Sequence, residues 1–216
     1  MATAVNDLVD RAETLLHDEG NDRWDAADLI IFGSHGEVAI ITRKPDAYVK
    51  NEAFVLVEGT LQTVDGTVLI DIVRNMGTDG STEGAAITKV DKVVMDAADP
   101  DWHTATASAT VKHWMADLRD PKRFWVYPPQ PSSSFGYVQG VWAATPSELS
   151  AGGNINLDDI YKDALLDYIL FRAFSIDASL HPNAAARALK HGQLFLDAIG
   201  SKESIEQLYD TENAKG

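Results

Sequence analysis

The chain has no cysteine in its 216 residues. That excludes a disulfide framework, a thiolate nucleophile, a zinc knuckle and a cysteine-ligated iron–sulfur cluster, and it fits folding in a reducing cytoplasm. Basic residues are scarce: Lys and Arg total 18 against 33 Asp and Glu, a net charge of −15. A protein that grips nucleic acid must neutralise phosphates, and this chain repels them on average. No window approaches the roughly 18 consecutive apolar residues that a membrane-spanning helix requires, so no membrane association is expected. The start, MATAVNDLVDRAETLL, lacks a basic stretch followed by an apolar one, so no secretory signal is expected either.

What is present is ordinary globular composition, with 45% hydrophobic and 24% charged residues. The acidity is concentrated at the start, where residues 1–28 hold eight acids and only Arg11 and Arg23 as bases. No internal repeat of fixed period is visible.

Val5, Leu8, Val9, Ala12, Leu15 and Leu16 recur at helical spacing, which predicts an amphipathic helix stopped by DEGND at 18–22. The stretch 28–42, DLIIFGSHGEVAIIT, supports two readings. Locally it is a hairpin, two β-branched runs around a glycine-containing turn. It is also a helix, because Ala27, Ile30, Ile31, Ser34, Val38 and Ile41 share a face, though Gly33 and Gly36 would each cost about 1 kcal/mol relative to alanine. From 52 to 75 the pattern is β-like, broken by a DG turn at 65–66. NMGTDGSTEG (75–84) is a polar loop, and a short helix is expected within 90–103, ended by Pro100. Strands resume over 111–117, 123–129 and 135–146. Residues 157–175 form a helix that is apolar around most of its circumference, which places it at the centre of a bundle or against another subunit. A further helix starts at Pro182 and is expected to close at Gly200. The predicted class is therefore α+β: a helical bundle from both chain ends (1–49 and 149–200) with an inserted β-rich module (50–148) and an extended tail (201–216).

No catalytic signature emerges. His17, His35, His103, His113, His181 and His191 show no HxxxH or HxH spacing for a shared metal. Asp99, Asp101 and His103 offer metal-type ligands, but an Asp-capped turn around Pro100 is the better account of the same residues. GTDGSTEG resembles a phosphate loop in composition only, and GSHG at 33–36 lacks the GxSxG spacing of a nucleophile elbow. Trp114, Trp125 and Trp142 are candidates for a base- or sugar-stacking platform or, alternatively, for a sheet core. No catalytic, cofactor-binding or metal residues are assigned.

The string RKPDAYVKNEAFVLVEGTLQTV (43–64), followed by IDIVRNMGTDG (70–80), resembles the head-to-tail adaptor (connector) proteins of short-tailed bacteriophages. The likeness continues through DPDWHTATASATVKHWMADLRDPKRFWVYPPQP (99–131), LDDIYKDALLDYILFRAFSIDA (157–178) and a helix ending FLDAIG. These stretches keep the family's order over roughly 20–200. More distantly the chain is similar to the tail tubular A proteins of the same viruses.

The resemblance implies a structural virion protein and not an enzyme. Family members form a ring of roughly twelve copies, a cyclic homo-oligomer with heterologous contacts. That ring sits between the portal protein and the tail nozzle or tail tube protein, around a channel that DNA crosses without specific binding. It implies assembly in the host bacterial cytoplasm and residence at the capsid portal vertex, with no cofactor. It also places the chain's end against the portal, where Ile205, Leu208 and Tyr209 are the apolar candidates. Candidates for subunit contacts are Tyr161, Tyr168, Phe171 and Phe174 on the apolar helix and Trp125 and Trp142 in the β-module. In the family the segment matching 28–42 is an unbroken amphipathic helix with a more polar outer face, so a helix is expected there. The alternative function is another tail structural protein or a carbohydrate-binding virion module.

Overall fold

The computed structural model describes residues 3–178 and 182–213, with 182 and 201–213 as backbone only. The chain is mixed α+β and divides into two compact units, Met1–Ala47 with Pro146–Gly216, and Tyr48–Thr145.

The first unit is helical. Helix α1 (Val5–Leu16) buries Val5, Leu8, Val9 and Ala12, the face its spacing predicts. Each of the larger side chains contributes about 1.5–3 kcal/mol on full burial. The helix ends at His17, whose left-handed φ of 58° reverses the chain. The turn that follows is tied by Asp18, a buried carboxylate that accepts from the backbone N–H groups of Asp22, Arg23 and Trp24. Helix α2 (Ala26–Arg43) begins at Asp25, whose side chain caps the Ala27 N–H.

Residues 28–42 are thus helical, not a hairpin. The reason lies in what the glycines touch. A Cβ on Gly33 would stand 3.1 Å from Leu149 Cδ1 and 3.6 Å from Ile169 Cδ1, and one on Gly36 would stand 3.1 Å from both Leu165 Cδ2 and Tyr168 Cδ1. These glycines let α2 press against α4 (Lys162–Asp177), and that packing offsets their local propensity cost.

Helix α4 is the centre of the unit, packed by α1, α2 and α5 (Pro182–Asn213). Three neighbours account for its nearly continuous apolar circumference within one chain. Helix α5 does not end at Gly200 as expected but runs on to Asn213. One glycine costs about 1 kcal/mol, and the Lys, Glu, Gln and Leu residues beyond it are good helix formers, so the helix passes through. The segment expected to be an extended tail is therefore helical as far as Asn213.

The second unit is β-rich. Strands β1 (Val49–Val55), β7 (Tyr137–Ala143) and β3 (Val68–Asn75) form one sheet in that order. Strands β2 (Gly59–Thr63), β6 (Arg123–Gln130), β5 (His113–Ala116) and β4 (Thr88–Lys89) form another. All pairs are antiparallel except β4 with β5. The main core cluster includes Leu56, Ile72, Trp114, Phe124, Val126, Val138 and Trp142, and a smaller one gathers Met95, Trp102 and Met115. Phe54 meets Trp142 edge-to-face at 5.5 Å, and a Cβ on Gly140 would come within 2.6 Å of the Phe54 ring, so only glycine fits there. Three buried amides hold the loops: Gln62 to Val57 and Gly59, Asn75 to Ala85 and Val111, and Gln130 to Ser108 and Gly136. A short helix, α3 (Lys92–Ala98), lies between β4 and β5 in the chain.

Candidate assembly surfaces

The residues that resemble reaction chemistry are engaged in structure. Ser34 is a mid-helix hydroxyl that donates to the Ile30 carbonyl at 3.1 Å and accepts from the Leu149 N–H at 3.0 Å, while His35 is exposed. The neighbouring carboxylate, Glu37, is fully buried and accepts from Asn156 N and Asn156 Nδ2, both at 2.7 Å, and from Leu157 N at 3.3 Å. Burial pushes its carboxyl above the ordinary value, and the Asn156 and Leu157 donors pull it back only in part. The GSHGE run is thus a docking strip: two glycines receive α4, and Ser34 and Glu37 hold the segment that leads into it.

In the loop at 76–84 the backbone N–H groups of Ser81 and Thr82 are taken by the Asp79 side chain, both at 3.0 Å. Those two bonds, with Thr82 Oγ1, hold the Asp79 carboxyl well below the usual carboxylate range. The protein's own carboxylate occupies the donors that a phosphate would use.

Asp99, Asp101 and His103 do not converge. Asp99 accepts from the Asp101 N–H, whereas His103 stacks on Trp102 at 3.6 Å and its Nδ1 lies 2.8 Å from Thr60 Oγ1. Among the described residues no group of three or more His, Asp or Glu side chains is placed to hold a metal. No helix among them is long and apolar enough to cross a membrane. An open groove of about 410 Å³ between α1 and α4 is lined by Asp7, Arg11, Lys162 and Asp163, two acids and two bases.

The tryptophans do not make a stacking platform. Trp114 and Trp142 are buried in the module core, and Trp142 Nε1 donates to the Asp65 carbonyl. Trp125 is half-buried, with the Lys92 ammonium 5.4 Å from its ring. The expected subunit-contact residues divide in the same way. Tyr161, Phe174 and Trp142 are buried inside their own unit, and Tyr168, Phe171 and Trp125 are half-buried. Tyr168 packs on Phe171 and on Phe195 of α5, at 5.9 and 5.0 Å between ring centroids. Ile205, Leu208 and Tyr209 lie on the backbone of α5, and their side chains fall outside the described residues.

The exposed apolar side chains lie elsewhere. On α2, Ile31 and Val38 are 49% and 47% exposed, and on α5, Leu189 and Leu196 are 75% and 44% exposed. Leu118, in the turn between β5 and β6, is 98% exposed. Sequence reasoning singled out none of these as contacts. The signal was a second apolar pair at i, i+7 on each helix, beside the pattern that forms the core.

The polar groups named above are thus engaged largely within the helical unit and the β-rich unit, and each unit leaves apolar side chains exposed. The model of the SU10 adaptor protein family matches residues 3–215, and the chain belongs to that family of phage tail adaptor proteins. No curated protein matches the chain. Membership gives it a structural adaptor role in the virion, in contact with other head and tail proteins.

Proposed function

We propose that the chain is a head-to-tail adaptor that forms a ring of roughly twelve copies between the portal and the tail nozzle or tube. Its place is the portal vertex of the assembled particle, with DNA passing through the ring. The observation that carries this reading is the family match over nearly the whole chain. The net charge of −15 supports it physically. A conduit for DNA must not bind it, and acidic walls repel phosphates at short range, with screening beyond about 8–10 Å at physiological salt. The protein acts by the surfaces it offers to copies of itself and to two other rings, with no bond made or broken. The end of α5, carrying Ile205, Leu208 and Tyr209, is the segment that reaches the portal.

The test is to mix the purified chain with its cognate portal and image the product by electron microscopy. A second ring stacked on the portal is the expected result. A portal left bare at saturating adaptor, or a reconstructed vertex without this density in its collar, overturns the proposal.

A further inference from the structure

We propose that two copies of this chain join edge to edge through strand β1, antiparallel about a two-fold axis at Asn51, so that the three-stranded sheet of each becomes half of one continuous sheet. The proposal concerns the chain free of the portal and goes beyond the ring reading. A two-fold contact uses one patch on both copies and closes at two, whereas a ring needs two different patches.

Strand β1 is an edge, and its only partner strand is β7. That pairing decides which backbone groups remain. The Tyr48 carbonyl accepts from Ala144 N, and Leu56 N donates to the Gly136 carbonyl, so the even-numbered residues between them bond β7. The N–H and carbonyl groups of Val49, Asn51, Ala53 and Val55 therefore point away from the sheet, and all four residues are exposed. The other edges are blunted. Residues 85–87 bridge the outer side of β3, β2 shifts register between Gly59 and Leu61, and β4 is a two-residue strand. By contrast β1 runs for seven residues in unbroken register with β7 and contains no proline. A regular edge of this kind is a template for another strand.

The side chains select which strand. Lys50, Glu52 and Phe54 share the face that looks to the module core, opposite Trp142, Gly140 and Val138. The side chains of Lys50 and Glu52 make no ion pair or hydrogen bond with any described residue. Because the outward hydrogen bonds leave from odd-numbered residues only, a second β1 can slide along this edge only in steps of two residues. Centred on Asn51, the register sets Lys50 against Glu52 of the second copy, and the symmetry repeats the pair. It also sets Tyr48 against Phe54 of the second copy, twice; both rings pack on the core by one side and are half-buried. On the other face Val49 meets Ala53. One step either way brings Lys50 against Lys50 or Glu52 against Glu52, which like-charge repulsion disfavours. A lone edge lysine turns other strands away. With a glutamate two places on, it rejects the neighbouring registers and admits this one. The backbone then gains about six hydrogen bonds, two at each of the Val49–Ala53, Asn51–Asn51 and Ala53–Val49 pairs.

The absence of cysteine makes the register readable. The purified full chain, without portal, is expected to sediment as a dimer. Asn51→Cys chains should link to one another under mild oxidation, since residues facing across a hydrogen-bonded pair stand about 5.5 Å apart at Cα, within disulfide reach. Val49→Cys and Ala53→Cys should each stay unlinked alone and should link when mixed. Lys50→Glu should weaken the dimer about tenfold, and adding Glu52→Lys should restore it. Ala53→Pro removes an N–H that β7 does not use, so the circular dichroism should hold while the dimer dissociates. The charge exchange carries the test if that proline also disturbs the module. A parent chain that is monomeric at about 100 μM overturns the proposal. So does a dimer in which Asn51→Cys fails to link or the exchanged charges fail to restore association. None of these readouts involves the portal, so they stand or fall apart from the ring.

Discussion

Gly36 of α2 lies directly against Tyr168 of α4, so closely that a Cβ would stand 3.1 Å from the ring's Cδ1 and from Leu165 Cδ2. The same Tyr168 also packs on Phe195 of α5 at 5.0 Å, so it touches both α2 and α5. Gly36→Val inserts a branched side chain into that space. Overpacking of this kind costs about 1–3 kcal/mol. Thermal melting should show a clear loss of stability, and an unchanged midpoint would mean the two helices do not approach as described.

Glu37 makes the stability of the helical unit depend on pH in an unusual direction. Burial raises its carboxyl above the ordinary value in the folded chain, so the folded state holds a proton that the unfolded state has lost. Its contribution is most favourable below the unfolded value and declines as pH rises through the folded value. Glu37→Gln should remove that decline while keeping acceptance from Asn156 N and Leu157 N. Denaturant titrations of both proteins from mildly acidic to neutral pH read the effect directly. If the two curves stay parallel across this range, Glu37 is not buried as a carboxylate. Asp79, held low by Ser81 and Thr82, acts oppositely, and its contribution is lost only in strong acid.

Asn75 is the corresponding anchor of the β-module. Its buried amide donates to the carbonyls of Ala85 and Val111 and accepts from the Val111 N–H. Asn75→Leu leaves the Val111 N–H and carbonyl without partners, at about 1–3 kcal/mol for each that water cannot reach, while the Ala85 carbonyl keeps the backbone N–H of residue 75. Hydrogen exchange at Val111 and Ile87 should accelerate sharply, with the helices of the other unit keeping their protection.

Changing Leu208 and Tyr209 to serine should leave the secondary structure intact and weaken capture by immobilised portal. Equal capture of the variant and the parent chain would remove the end of α5 from the proposed portal contact.

The class and the main helices were legible because their signals are local: Val5, Leu8, Val9 and Ala12 repeat at helical spacing, and they are the residues α1 buries. Residues 28–42 were not legible from local pattern. Gly33 and Gly36 mark a turn unless one knows that Leu149, Ile169, Leu165 and Tyr168 press on them from more than a hundred residues away. The helix there followed from family resemblance alone. The end of α5 misled in the opposite way, since Gly200 looks like a terminator and is only a weak point within the helix. At the candidate surfaces, aromatic size suggested contacts. Tyr161, Phe174 and Trp142 instead fill the interior, where large rings contribute most, and smaller aliphatic side chains remain outside. No spacing in the sequence distinguishes those two fates.

Thr3 and Ala4 are stitched to the stretch 153–159: Thr3 bonds Asp159 and Ile155, Val5 bonds the Gly153 carbonyl, and Ala4 bridges Asn154. The strand-rich insert, by contrast, is one uninterrupted length of chain, Tyr48–Thr145. A ribosome adding 5–20 residues per second therefore delivers α1 and α2 roughly 5 to 25 s before α4 emerges to cover Leu8, Leu29 and Ile40. During that interval the insert can complete its own interior, while the first two helices wait with their greasy sides bare. Birth order makes the nascent amino-terminal fifth the portion most in need of a chaperone's hold.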